Sequence, residues 1–177
     1  TVMDRIAGHA KELLDAQNSA IFLPDADGRR FRAIVALGEI ADELKATVIE
    51  PGRGIIGSLL QSGQPEFIND TAADARAVQL AGTTQRPDER LMVVPLKSGE
   101  QVQGAMAVWR SGGNPFEAHE LAFLTGLSQQ AVIALNNARL FDQTQAALQR
   151  QTASADILRV ISQSPNDVHP VFEAIVR

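Results

Sequence analysis

Three glycines, Gly52, Gly54 and Gly57, have the Gly-x-Gly-x-x-Gly spacing with which a backbone turn holds the pyrophosphate of a dinucleotide. Asp74 follows about 20 residues later, where that fingerprint has the acidic residue that binds the ribose. The surrounding sequence does not fit a dinucleotide-binding fold, because the preceding strand would be limited to residues 47–50 and strands do not alternate with full-length helices. We predict a structural turn that leads into a short helix. An anion at the N-terminus of that helix is the remaining alternative.

The acidic and histidine residues have no spacing typical of a metal site. Asp25, Asp27 and Gly28 begin like a calcium loop, but the twelfth position, which needs a bidentate Glu, is Ala36. The sequence predicts a hairpin turn there instead. The histidines are far apart in sequence, and solvated or capping roles are more typical of them than zinc or haem ligation; they are His9, His119 and His169.

The residue inventory also argues against catalysis. The chain has no cysteine, which excludes thiol nucleophiles, thiolate metal sites, disulfides and cofactors tethered through sulfur. No Ser or Thr stands in a nucleophile elbow. We therefore predict a chain that is not an enzyme and carries neither a metal nor a cofactor.

The composition is that of a soluble globular chain with little to offer a nucleic acid. Its 177 residues are enough for one domain and a remainder, and 16 Lys+Arg against 21 Asp+Glu give a net charge of -5. With only 5% aromatic residues, this charge disfavours nucleic-acid binding. No apolar run is long enough to span a bilayer and no secretion signal is recognisable, so we expect no membrane segment and a cytoplasmic location.

Apolar periodicity and turn residues divide the first half of the chain into short elements. A helix ending near Ala16 precedes a hairpin, whose strands at 19–24 and 30–37 flank the turn described above. The remaining elements are a helix at 40–46, an extended piece at 47–50, a helix at 55–61 and a strand at 66–69.

The second half contains a long loop, a second hairpin and a long helix. Residues 71–87 are polar and lack periodicity, which predicts a surface loop with one helical turn at most. The hairpin strands at 90–97 and 101–110 have apolar residues on both faces, which predicts the centre of a sheet that is covered on two sides. From Glu117 the helical pattern continues for more than 40 residues.

The second half of this helix has a weak heptad pattern typical of a coiled coil. Phe141, Leu148 and Ala155 are seven residues apart, and Leu158 falls on the companion position three residues later. We predict that these four residues mediate dimerisation. Ser164 and Pro165 break the pattern, and another amphipathic helix is expected over 168–177.

Several short strings, in this order, resemble the GAF domain family over about residues 2–140. They are PGRGIIG at 51–57, SGQP at 62–65, ERLMVVPL at 89–96, GAMAV at 104–108 and NNARL at 136–140. The resemblance implies an α+β fold, with an antiparallel sheet of about six strands, helices from both chain ends on one face and a ligand cavity under loops on the other. It also implies three parts: a GAF domain at 1–140, a coiled-coil-like linker helix at 141–164, and at 165–177 the first helix of a following domain, expected to be a second GAF domain.

The resemblance places candidate ligand-binding residues beside the long loop and on the second hairpin. Asp70, Asp74, Arg76, Glu89 and Arg90 flank the loop, although capping and surface ion pairing explain each of them equally well. The strand candidates either face the cavity or pack against the helices, a choice that alternation alone leaves open; they are Met92, Val94, Met106 and Val108.

The resemblance implies a regulatory domain of a bacterial signalling protein of the histidine kinase or nucleotide cyclase type. Such a domain would bind an unknown small molecule, form a homodimer through its terminal helices, and act on an effector domain in the same polypeptide. The string NPFEAHE at 114–120 departs from the signature of cyclic-nucleotide-binding members, and the family's bilin and sulfoxide-reductase roles require cysteine. The alternative is a structural dimerisation module without a ligand. An open, polar cavity would favour sensing, and a filled apolar core would favour the spacer.

Overall fold

The computed structural model describes residues 1–84 and 86–163, which form a six-stranded antiparallel sheet with helices on both faces. This is the α+β fold that the resemblance implied. In chain order the elements are α1 (Val2–Leu13), β1 (Asn18–Pro24), β2 (Phe31–Gly38), α2 (Ala41–Ala46), β3 (Val48–Ile49), α3 (Gly54–Ser62), β4 (Glu66–Ile68), a 3₁₀ turn (Thr71–Ala73), β5 (Glu89–Ser98), β6 (Gln101–Ser111) and α4 (Ala118–Gln163).

The strand order across the sheet is β3-β2-β1-β6-β5-β4. The two central strands are β1 and β6, which pair from Asn18 opposite Trp109 to Phe22 opposite Ala105. Both strands of the second hairpin were predicted at the centre. β6 lies there, whereas β5 lies next to the edge strand β4. β5 is nevertheless buried from residue 91 to 96, because both of its faces are covered.

One face of the sheet is covered by helices from both ends of the domain. The hydroxyl of Ser19 in β1 donates a hydrogen bond to the carbonyl oxygen of Ala7 in α1 at 2.8 Å. Arg110 of β6 is 6% exposed and donates through Nε to the carbonyl oxygen of Leu14 at 3.0 Å. Its guanidinium also lies 2.6 Å from the carboxylate of Glu120 in α4. These contacts fix the end of α1 and the start of α4 to the same strand.

The opposite face has small side chains at its centre. Ala36, Ala20 and Ala107 are paired in a row across β2, β1 and β6. Alternate residues of a strand point to opposite faces, so this row leaves room on one side only. The apolar side of α3 packs into that space, where Leu59 is 1% exposed.

The glycine-rich stretch forms the turn before α3. A Cβ atom on Gly57 would lie 2.3 Å from the carbonyl oxygen of Glu50, so the close approach of two backbone segments requires glycine there. The amide of Gly52 donates to the carbonyl oxygen of Gly57 at 2.7 Å. α3 ends at Gly63, whose φ of 65° is left-handed. The predicted structural turn into a short helix is confirmed.

The chain divides into two compact units, Thr1–Ala134 and Leu135–Arg177, and α4 contributes residues to both. In the second unit several apolar side chains of α4 are exposed: Leu140, Phe141, Leu148, Leu158 and Ile161. The predicted break at Ser164 and Pro165 and the predicted helix at 168–177 lie outside the described residues. Within the described ranges, every helix is too short or too polar to cross a bilayer.

Candidate ligand cavity

A cavity of about 570 Å³ opens on the sheet face that carries α3. Cavities of a few hundred to a thousand Å³ are typical of sites for small organic molecules. Its lining comes from the segment between α2 and α3, the first turn of α3, the loop that follows the 3₁₀ turn, and the start of β5 with the end of β6. The lining residues used below are Ile49, Glu50, Arg53, Ile55, Ile56, Thr71, Val78, Leu80, Glu89, Leu91 and Trp109.

The floor of the cavity is apolar. Leu91 of β5 and Trp109 of β6 are directly opposite each other in the antiparallel pair and are 5% and 7% exposed. Ile55 and Ile56 contribute the first turn of α3 and are also buried. Because a directly opposite pair shares one face of a sheet, Leu91 and the only tryptophan of the chain form a continuous apolar surface.

One wall of the cavity carries a half-buried carboxylate. Glu89 stands two residues before Leu91, so its side chain is on the cavity face of β5. The hydroxyl of the buried Thr71 donates to the Glu89 carbonyl oxygen at 3.2 Å and lies 3.4 Å from Oε2. Burial raises the pKa of Glu89 above its ordinary value. A recess of about 250 Å³, also lined by Glu89, adjoins the cavity.

The outer wall is the loop at 74–84, which packs against the start of α3. A Cβ atom on Gly54 would lie 3.6 Å from Cγ2 of Val78, which is ordinary van der Waals contact. The loop is closed on itself further along, because the hydroxyl of Thr83 donates to the carbonyl oxygen of Leu80 at 2.7 Å. Val78 and Leu80 thus line the cavity from the loop side, although Val78 is 58% exposed.

Arg76 fastens this loop to the edge of the sheet. Its guanidinium lies 2.9 Å from Asp74 and 2.7 Å from Glu66 of β4. The hydrogen bond from Arg76 lowers the pKa of the Asp74 carboxyl. Asp74 and Arg76, both predicted to bind ligand, are thus brought together, but as a clamp outside the cavity lining.

The other two polar candidates also make local backbone contacts. Asp70 caps the 3₁₀ turn by accepting a hydrogen bond from the Ala73 amide at 3.3 Å. Arg90 donates to the carbonyl oxygen of Gly112 at 2.5 Å. Neither side chain lines the cavity. Capping and pairing, the alternative explanation, describes the contacts of these four polar candidates, whereas the fifth, Glu89, lines the cavity.

For the strand candidates Met92, Val94, Met106 and Val108, the structure has one of the two alternatives that alternation left open, namely packing against the helices. Ser19, whose hydroxyl bonds to α1, is opposite Val108 in the sheet, and Val108 is opposite Met92. Met106 and Val94 are paired in the same way. All four side chains are therefore on the sheet face covered by α1 and α4, and none of them lines the cavity. The cavity is lined instead by Leu91 and Trp109, which are adjacent to Met92 and Val108 along the strands and therefore point to the other face. Both residues were missed in the sequence analysis.

The four residues predicted for dimerisation are in the second unit. Phe141, Leu148 and Leu158 are 63%, 55% and 62% exposed, and Ala155 is exposed as well. Such large apolar side chains on the surface of one helix are unusual unless they meet a partner. Their contribution to a dimer stays a prediction.

Comparisons with known proteins agree with this geometry. A family model described as GAF domain matches residues 1–136. Among solved structures, the chain is 22% identical to the second GAF domain of DevS from Mycobacterium smegmatis, with a TM-score of 0.65 over 81% of this chain and 96% of that one. It is 19% identical to the GAF domain/HD domain protein from Geobacter sulfurreducens, with a TM-score of 0.68 over 78% of this chain and 92% of that one.

A curated relative is the dual 3',5'-cyclic-AMP and -GMP phosphodiesterase 11 of Drosophila melanogaster, which is 23% identical over 192 residues. The match includes 99% of this chain but only 13% of that protein. The chain therefore spans a small part of the length of the curated relative it matches.

Proposed function

This chain belongs to the GAF domain family, and from that premise we propose that it is a regulatory domain of a bacterial signalling protein that senses a small molecule. The observation that carries the proposal is the cavity of about 570 Å³ with an apolar floor and a carboxylate in its wall. A few polar groups in a mostly apolar recess are typical of sites for small organic molecules. A spacer module would instead have filled this space with side chains, so the cavity favours sensing over the structural alternative.

We further propose that the domain acts as a homodimer through α4. The support is the row of exposed apolar side chains at heptad spacing, Phe141, Leu148, Ala155 and Leu158. Ligand would shift the dimer between two helix arrangements, provided that it binds them with different affinity. Under this proposal the GAF domain is 1–140, the linker helix is 141–164, and residues 165–177 begin a further GAF domain. The effector, of the histidine kinase or nucleotide cyclase type, would belong to the same polypeptide.

Analytical ultracentrifugation of a paired set of variants tests the dimer. Leu148→Asp with Leu158→Asp places charges on the proposed seam and should convert the dimer to a monomer. Ala146→Asp with Ala153→Asp places the same two charges on the opposite side of the helix and should leave the dimer intact. Dimers in both double variants, or monomers in both, would contradict the proposed seam.

A thermal-shift screen of small molecules tests the sensing function. A ligand that binds only the folded state raises the unfolding temperature by an amount that grows with the logarithm of its concentration relative to its dissociation constant. We expect such a shift, and we expect Ile49→Trp, which places an indole in the cavity lining, to abolish it. A shift that survives in this variant would place the binding elsewhere.

A further inference from the structure

We propose that the ligand of this cavity carries a protonated amine or a similar compact organic cation, held by the Glu89 carboxylate next to the indole of Trp109. This inference rests on the proposed sensing function and names the chemical class of the ligand. The cavity is large enough for the cation to be attached to an organic body.

The first support is the charge balance around Glu89. Within the described part of the chain, no basic side chain forms an ion pair with its carboxylate, because the nearby arginines are occupied. Arg86 pairs with Glu39 at 3.1 Å, and Arg76 is held by its clamp on β4. Arg90, the next residue along β5, donates to a backbone carbonyl oxygen. The Thr71 hydroxyl and the charge of Arg86 offset only part of the hydration that this half-buried carboxylate has lost, because its pKa is still raised, and a cationic ligand would offset more of that loss.

The second support is the position of Trp109. It is opposite Leu91, and Glu89 is two residues before Leu91 on the same face, so Glu89 and Trp109 are diagonal neighbours. Diagonal pairs in an antiparallel sheet are about 7–8 Å apart, a distance that a single ammonium group can bridge. A cation within about 6 Å of an indole centroid is attracted by the ring, and tryptophan is the best residue for this interaction.

The third support is the remaining charge of the lining. Glu50 and Arg53, the other charged lining residues, are both exposed. Two acids and one base leave the cavity net negative, and the most buried of the three charges is Glu89. An anionic ligand at Arg53 would share the cavity with the Glu89 carboxylate, which makes no ion pair within the described part of the chain. The charges therefore favour a cation over an anion.

The test is calorimetric titration of the full chain at neutral pH with three probes that share one phenyl group: phenethylammonium, phenethyl alcohol and phenylpropanoate. Phenethylammonium should bind about tenfold more tightly than the alcohol and more tightly than the carboxylate. It should also quench the fluorescence of Trp109, which is the only tryptophan and reports on the cavity floor directly.

Two variants of equal net charge identify the group responsible. Glu89→Gln keeps the size of the side chain and should reduce the preference for the ammonium probe to within about twofold. Asp88→Asn removes one negative charge from the adjacent, exposed residue outside the lining and should keep the preference. Thermal unfolding establishes that both variants are folded.

The outcomes separate this inference from the proposed function. Equal or tighter binding of the alcohol or the carboxylate, or a preference that survives Glu89→Gln, would overturn the ligand class and leave sensing intact. If none of the three probes binds at millimolar concentration while the chain is folded, the cavity does not accept such molecules. The ligand class is then overturned, while the sensing function is decided separately by the thermal-shift screen.

Discussion

Replacing Arg110 by Met should destabilise the domain far more than replacing an arginine on the surface. Arg110 is 6% exposed and donates to the carbonyl oxygens of Leu14 and Asn114 as well as to Glu120, whose side chain is 16% exposed. Met retains most of the apolar stem but removes the donor to both carbonyl oxygens and leaves the Glu120 carboxylate with only the amide of Glu117 as a partner. Removing one partner of a buried pair costs 3–5 kcal/mol, and the slight exposure of Glu120 puts the expected loss near the lower end, about 3 kcal/mol.

Urea denaturation followed by the fluorescence of Trp109 measures this loss. The matched control is Arg159→Met, because Arg159 makes a single ion pair with Asp156 at 3.3 Å in which both side chains are more than half exposed. That substitution should cost less than about 0.5 kcal/mol. A loss for Arg110→Met as small as that of the control would refute the claim that Arg110 fastens α1 and α4 to the sheet.

The same variant has a defined pH dependence. Burial alone would raise the pKa of Glu120, but the hydrogen bond from Arg110 and a backbone amide lower it below the ordinary value. A carboxyl group with a depressed folded-state pKa stabilises the fold above its unfolded-state pKa and loses that contribution as the pH falls through the folded-state pKa. The difference in unfolding free energy between wild type and Arg110→Met should therefore shrink on acidification. A difference that stays constant would mean that the ion pair contributes nothing.

Three stability and exchange measurements test the turn, the cavity wall and the clamp. Gly57→Ala should lower the free energy of unfolding by at least about 2 kcal/mol, because the new Cβ atom would meet the carbonyl oxygen of Glu50. The control Gly126→Ala, whose Cβ atom would lie in open space on α4, should raise it by up to about 1 kcal/mol. Thermal unfolding compares the two variants. Glu89→Gln should raise the unfolding free energy at neutral pH, because the raised pKa of this acid means that its ionised form destabilises the fold. That gain should disappear below the unfolded-state pKa, and a gain that persists in acid would refute the argument. Arg76→Leu removes both ion pairs of the clamp and should increase amide hydrogen exchange in the loop at 74–84 while leaving β1 and β6 protected; unchanged exchange in the loop would count against the clamp.

Local sequence patterns were sufficient to predict the helices and strands of this fold. Asp25 to Gly28 between two alternating runs predicted the first hairpin, and its turn is closed by the Asp25 amide, which donates to the carbonyl oxygen of Arg30 at 2.8 Å. Gly63 after an apolar run predicted the end of α3. These signals work because a turn or a helix cap depends on a few adjacent residues.

Such local patterns did not determine which strand residues face the cavity. β5 is apolar at every position from 91 to 94, so either parity could have faced the cavity. The missing signal was in the size of the side chains: Ala105 and Ala107 alternate with the larger Met106 and Val108, and the small residues belong to the face that must admit α3. A row of alanines is recognisable only when the strand order is known.

The contacts of the polar site residues depend on a different property. Asp74 and Arg76 belong to the loop that borders the cavity in the GAF family. In this chain Arg76 pairs with both Asp74 and Glu66 of the edge strand β4. A sequence alone does not reveal that these three charged groups meet. Glu89 was among the flanking residues considered. Its burial depends on the register that brings β5 beside β6, which is a tertiary property.

Native mass spectrometry of the chain, incubated with the small-molecule fraction of a bacterial lysate and then desalted, tests the central claim most directly. We expect a dimer that carries a small-molecule adduct, and an Ile49→Trp variant that forms the same dimer without the adduct. A bare dimer in the wild type, or an adduct that persists when the cavity is filled, would contradict the claim that this domain senses a small molecule through this cavity.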